Sequence, residues 1–303
     1  MTAASFYYFG AALLFAPLLA GLINRTKAFF AGRTGQSVFQ QYRDIFKLLR
    51  KSAVYSVTTT EVFRIAPAAV TACMLFAAML MPFADAPALL TFDGDIIVFA
   101  YLLATARFFT MTAALDTGSS FEGMGASREA WISALAEPAF FIAAAALVKM
   151  SGALSLTGVF SGLHVEDWLT NTPSVFMTAA AVFIILLAEN ARIPFDDPNT
   201  HLELTMVHEV MVLDNSGPDL GLITYSASLK LWIFCAFLVQ IMIPAAALTS
   251  PFEAATVFTA AMAATAILVG TVESCMARLR LTRIPQLLIG AIAMAAVAFI
   301  MAA

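Results

Sequence analysis

The chain has 303 residues, of which 61% are hydrophobic and only 12% charged, with a formal net charge of -4 and a mean hydropathy of +0.87. Soluble domains carry charge on about a quarter of their residues, so this composition excludes an ordinary soluble enzyme and identifies an integral membrane protein. No isolated polar segment could form a soluble nucleotide-binding domain, and neither a Gly-rich phosphate loop nor a Ser/His/Asp arrangement is present.

An apolar stretch of about 18 residues crosses roughly 30 Å of hydrocarbon as a helix. Eight such stretches occur: 5–24, 65–83, 96–115, 131–148, 175–188, 228–248, 254–272 and 285–302, the fifth being the shortest. The expected fold is all-α, a single polytopic membrane domain over 1–303. The first stretch lacks a convincing small-residue cleavage site and is taken as a retained helix.

Between the first two spans lies the long connection 25–64. Phe39, Tyr42, Phe46 and Leu49 recur there at helical spacing, with Arg43, Lys47, Arg50 and Lys51 between them. This pattern predicts a basic amphipathic helix in the membrane interface, serving as a headgroup anchor or as a docking or channel-lining element. Arg107 falls midway along the third span. Asp116-Thr117-Gly118-Ser119 follows as a turn by composition. Asp-Thr-Gly also occurs in aspartic proteases, but no second copy exists here to build a carboxylate dyad.

Glu137 lies inside the fourth span. Glu189 closes the fifth and opens the second long connection, 189–227, with Arg192, Asp196, Glu203 and Asp214, and Lys230 at its end. Glu273 closes the seventh span, and Arg278, Arg280 and Arg283 follow. Ionisable groups at membrane depth are expensive unless paired, so such a set is a functional hypothesis by default. Buried carboxylates beside a guanidinium can load and release protons, or they can simply fix helix packing.

All of the 16 Lys and Arg residues except Arg107 and Lys149 fall on one side of this topology. The positive-inside rule makes that side cytoplasmic and sends both termini away from it. Cys73, Cys235 and Cys275 are scattered without ligand spacing, so no iron-sulfur or zinc site is expected in this chain. His201 and His208 stand seven apart with Glu203 and Glu209 nearby, which does not match a metal-binding His-Glu-x-x-His pattern.

The segment Glu189 … Arg192 … Pro194-Phe195-Asp196 … Glu203-Leu204 … Asp214-Asn215-Ser216-Gly217 resembles the signature loop of the subunit 1 family of respiratory NADH dehydrogenase (complex I). Gly32-Arg33-Thr34-Gly35, Gln40-Gln41-Tyr42-Arg43-Asp44 and Lys47-Leu48-Leu49 also match, with Gln36 standing where the family usually has proline. Leu115-Asp116-Thr117-Gly118-Ser119, Gly125-Ala126-Ser127-Arg128-Glu129-Ala130, Glu137-Pro138, Ser228-Leu229-Lys230 and Glu273-Ser274 … Arg278-Leu279-Arg280 are similar to the branch that serves formate hydrogenlyase and energy-converting hydrogenases. His201 stands where the quinone-reactive branch usually has an acidic residue.

The resemblance implies a membrane anchor and coupling subunit. It links a peripheral electron-transfer arm to proton or sodium translocation in a bacterial or archaeal cytoplasmic (inner) membrane. Coupling is then expected of Arg107, Asp116, Glu137, Glu189, Arg192, Asp196, Glu203, Asp214, Lys230 and Glu273, and docking of Arg33, Asp44, Lys47, Arg128, Arg278 and Arg280. Implied partners are hydrogenase-like large and small subunits, an iron-sulfur subunit and antiporter-like membrane subunits, with the iron-sulfur clusters and the nickel-iron site held by them and no nucleic acid involved. The alternatives are a quinone-site subunit of an NADH dehydrogenase, a stand-alone ion channel or antiporter, and a purely structural anchor.

Overall fold

The computed structural model describes residues 2–163, 165–196, 206–244 and 250–302, with Asp167 by its backbone alone. Eight helices are long and apolar enough to span a membrane. They are α1 (Ala3–Phe30), α3 (Glu61–Leu80), α4 (Asp95–Asp116), α5 (Ser120–Ser151), α8 (Thr172–Glu189), α9 (Gly217–Met242), α10 (Pro251–Cys275) and the turn and helix ending in α11 (Ile284–Met301). The short helices α2 (Gln40–Leu49), α6 (Leu156–Gly162) and α7 (Val165–Thr170) complete the set. Each of the eight expected spans has its helix among the described residues, and residues 245–248 of the sixth lie outside them.

Helix ends follow local chemistry. Thr60 and Ser250 cap α3 and α10 by accepting from backbone N–H groups, and α8, α9, α10 and α11 carry proline in the first turn, where a missing N–H costs nothing.

Helix α9 is the centre. Residues 228–241 are buried without interruption, as expected of a helix surrounded by protein. Around it pack α1, α2, α3, α8 and α10; α4 joins α3 to α5, and α11 fits between α5 and α8. Burying apolar side chains gains little in lipid, so close backbone approach has to hold such helices together. Ala291, Ala295 and Ala298 supply it on α11, all fully buried on one stripe.

Two helices begin earlier than their apolar stretches. α5 starts at Ser120, eleven residues before 131, and α9 starts at Gly217, eleven before 228. Their first three turns contain Glu122, Arg128 and Glu129, or Asp219, Thr224 and Ser226, which lower the local hydropathy without breaking the helix. α9 ends at Met242.

The consequence is a difference in depth. α8 stops at Glu189, while α5 and α9 run on past that level toward the side of the long connections. Chain 190–196 and 206–216 fills the space left above α8, with Ala191, Ile193, Phe195, Met206, Val207, Val210 and Met211 buried. Irregular backbone survives at such depth because protein surrounds it. Gly125 on α5 makes this possible, since a Cβ there would stand 2.3 Å from Val210 and 2.9 Å from the Val207 carbonyl oxygen.

The amphipathic helix is present as α2, but its apolar residues divide. Ile45 is buried, Leu48 and Leu49 pack near Gly221 of α9, and the Tyr42 hydroxyl donates to the Leu14 carbonyl of α1. Phe39 and Phe46 remain exposed.

Candidate functional site: a buried ion cluster

Arg107 projects from the middle of α4 into the bundle, about 13 Å along the helix from its Asp116 end, and meets carboxylates from two other helices. Its Nη2 lies 2.6 and 2.7 Å from the two oxygens of Glu189, at the end of α8. Its Nη1 donates to Glu137 of α5 at 2.7 Å. Its Nε faces Glu129, two turns earlier on α5, at 3.4 Å. Lys230 of α9 completes the group, with Nζ 2.8 Å from the second Glu189 oxygen. Four helices thus contribute three carboxylates and two fixed cations.

The cluster has an inner and an outer contact with its surroundings. Glu129 and Glu189 are almost wholly enclosed, whereas the Glu137 side chain is 44% exposed on the outer face of α5. On the other flank, Nδ1 of His208 lies 3.6 Å from Glu129, and that imidazole is 33% exposed. A cavity of about 30 Å³ beside Arg107, Glu137 and Glu189 has room for about one water.

A second set of charges lies above the first. Glu273, near the end of α10, pairs with Lys27 of α1 at 2.9 Å and with Arg192 at 3.4 Å. Asp196 pairs with Arg278 at 2.8 Å and accepts the backbone N–H groups of Val207 and His208 at 2.9 and 3.1 Å. The Asp196 carboxylate thereby positions the loop that presents His208 to Glu129.

The expected site residues therefore fall into groups. Arg107, Glu137, Glu189 and Lys230 converge; Lys230 does so from within α9 rather than from the end of the preceding connection, because that helix starts early. Arg192 and Glu189, three residues apart, belong to different ion groups because α8 ends between them. Asp116 accepts the Thr60 N–H at 2.7 Å and fixes the start of α3. Asp214 is exposed, and its backbone N–H donates at 3.1 Å to Glu122, a fully buried carboxylate.

Arg128 donates to the Met206 carbonyl at 2.8 Å, so it secures the same loop, as Arg278 does through Asp196. Arg33, Asp44, Lys47 and Arg280 are exposed. Glu203 and His201 lie outside the described residues. Among the described residues, no group of three or more His, Cys, Asp or Glu side chains is placed to hold a metal ion.

Glu129 and the contact of His208 with it are the parts of the candidate site that sequence reasoning missed. One signal existed: Glu122, Glu129 and Glu137, seven and eight residues apart, fall close to one face once α5 is extended backward from 131.

The fold and site define an all-α polytopic membrane protein with a buried ion cluster shared by four helices. The chain belongs to the NADH dehydrogenase family, which it matches over residues 3–303. It is similar to formate hydrogenlyase subunit 4 of Escherichia coli (strain K12), 30% identical over 290 residues that cover 94% of this chain and 93% of that protein. It is also similar to hydrogenase-4 component C of the same organism, 31% identical over 232 residues covering 77% and 72% of the two chains. A chain of the membrane-bound sulfane sulfur reductase, an archaeal respiratory membrane complex, shares the fold with a TM-score of 0.83 at 19% identity, over 99% of this chain and 98% of that one.

Proposed function

We propose that this chain is the membrane anchor and coupling subunit of a redox-driven, ion-translocating complex of the formate hydrogenlyase or energy-converting hydrogenase type. The Arg107 cluster is the observation that supports this reading. Three carboxylates face two permanent cations, so with His208 neutral and every carboxylate ionised the group carries one excess negative charge. The surplus carboxylate charge sits where the half-exposed Glu137 and the partly exposed His208 open the cluster to its surroundings.

In this reading iron-sulfur clusters and a nickel-iron site are held by hydrogenase-like partner subunits. Those partners dock on the cytoplasmic surface formed by the 25–64 connection and the described parts of the 189–227 connection, where Lys47 is exposed, with Arg280 exposed on the connection that follows α10. An electron arriving nearby attracts a proton through His208 to Glu129. When the electron leaves, Arg107 redistributes its contacts and the charge passes toward Glu137. That carboxylate sits half-exposed near the middle of a membrane helix, a costly position against lipid, and an antiporter-like membrane subunit covering it would continue the path. The chain lies in the cytoplasmic membrane with both termini away from the cytoplasm.

The test is ion translocation per electron pair in vesicles, measured with variants that assemble but lack the contact between Glu189 and Lys230. Loss of translocation with electron transfer retained supports coupling; unchanged translocation assigns the cluster to packing.

A further inference from the structure

The ends of α1 and α10 enclose a second feature, a groove of about 440 Å³ distant from the ion cluster in its composition and chemistry. Leu22, Phe29, Phe30 and Ile267 form its apolar walls, and Arg25 and Arg33 stand among its lining groups. At its base the two helices touch without an intervening side chain, since a Cβ on Gly270 would stand 2.8 Å from the Thr26 Cβ and 3.0 Å from the Ile23 carbonyl oxygen.

The groove's edge is built by the turn that follows α1. Gly32 and Gly35 adopt left-handed backbone, with φ of +65° and +66°, a conformation that glycine reaches without penalty. The Arg25 guanidinium donates to the Thr34 carbonyl and holds this turn against the helix. Neighbouring Lys27 is engaged by Glu273. Among the described residues, no carboxylate forms an ion pair with Arg25 or Arg33.

Two uncompensated guanidinium groups therefore stand over apolar walls at the end of a membrane span. The walls continue onto the outer face of α10, where Ile267 and Leu268 are 46% and 48% exposed. From Leu22 to Phe30 the groove follows α1 for about 12 Å, a length that takes a phosphate at one end and the start of an acyl chain at the other. A soluble acidic peptide would satisfy the arginines but leave the membrane-depth walls uncovered.

We propose that this groove binds one anionic phospholipid, with its phosphate on Arg25 and Arg33 and an acyl chain along Leu22 and Ile267. Juxtamembrane cations attract anionic headgroups, and the apolar walls add selectivity for an intact lipid over a free anion. The site is independent of the coupling role.

The experiment uses the intact complex purified in detergent, titrated with phosphatidylglycerol or chain-matched phosphatidylcholine and read by native mass spectrometry. Arg33→Gln is the first variant, because that exposed side chain makes no hydrogen bond or ion pair among the described residues and its loss leaves the fold undisturbed. Thr271→Trp, which fills the groove from the α10 side, is the second. The parent complex should prefer phosphatidylglycerol; Arg33→Gln should weaken that binding about fivefold, and Thr271→Trp should abolish it. Equal binding of the two lipids, or unchanged phosphatidylglycerol binding in both variants, overturns the proposal. Displacement by millimolar inorganic phosphate assigns the groove to a free anion, and loss of a subunit in Arg33→Gln makes it a protein interface.

Discussion

Nη2 of Arg107 stands within 2.7 Å of both carboxylate oxygens of Glu189, a residue 82 positions later in the chain. One guanidinium thereby ties α4 to α8, and through Glu129 and Glu137 it ties both to α5. Removing it takes the guanidinium from the buried Glu129 and the half-exposed Glu137 and leaves Glu189 with Lys230 alone. Arg107→Ala should cost about 3–5 kcal/mol, the usual penalty for breaking a buried ion group, and should nearly abolish accumulation of assembled complex in membranes. Arg107→Lys should restore little of it, because an ammonium presents no planar fork to three separate carboxylates. Immunoblots of native gels measure this, and parental assembly of Arg107→Ala would contradict it.

Glu189 and Lys230 form the pair best suited to a mutant cycle. Glu189 is the ion-pair partner seen for Lys230 at 2.8 Å. Glu189→Gln alone should lower assembly, since it leaves an ammonium poorly compensated, and Lys230→Met alone should lower it less, since Arg107 still serves Glu189. The double variant should assemble better than Glu189→Gln, with a coupling energy of about 1–3 kcal/mol between the sites. Additive losses would mean that the two side chains do not interact in the assembled protein.

The eight spans were legible because each holds an apolar run longer than a membrane core requires. Their starts were less so: in α5 and α9 the first three turns point polar side chains inward or toward water, and a hydropathy reading stops where they begin. That is why the apolar pattern leaves Glu129 outside the fourth span, which it starts at 131, and puts Lys230 at the start of the sixth. Arg107, Glu137, Glu189 and Glu273 stood out individually as charges in apolar surroundings. Which of them would meet was not legible, because the Arg107–Glu189 contact depends on how α4 and α8 pack, and neighbouring Glu189 and Arg192 prove to serve different groups.

Asp196 offers a way to disturb the loop, and with it the contact of His208 with Glu129, while leaving Arg107, Glu137, Glu189 and Lys230 in place. It accepts two backbone N–H groups and pairs with Arg278. Asp196→Ala should leave the helical bundle assembled while loosening the 206–208 segment, so peripheral subunits should co-purify less, by about half or more given a cost of 1–3 kcal/mol for stranded buried donors. Quantitative mass spectrometry of the affinity-purified complex checks this. Full retention of the peripheral arm together with parental turnover would remove the loop's docking role.

Orientation has a native reporter. Cys275 is exposed at the end of α10, whereas Cys235 is buried and Cys73 partly so. If the basic connections face the cytoplasm, a membrane-impermeant maleimide should modify Cys275, or a cysteine placed at Ser37, in inverted vesicles and not in intact cells. Labelling from outside intact cells would reverse the topology.

The most direct measurement of the central claim is the number of ions translocated per electron pair by the Glu189→Gln/Lys230→Met double variant, in inverted vesicles containing a known amount of assembled complex. The substitution removes one carboxylate and one cation together, keeping the charge balance while breaking the contact that links α8 to α9. Coupling through the cluster predicts electron transfer within a few-fold of the parent and a clear loss of ions translocated per electron pair. Electron transfer and translocation both at the parental ratio would contradict it and leave the buried charges as packing elements alone.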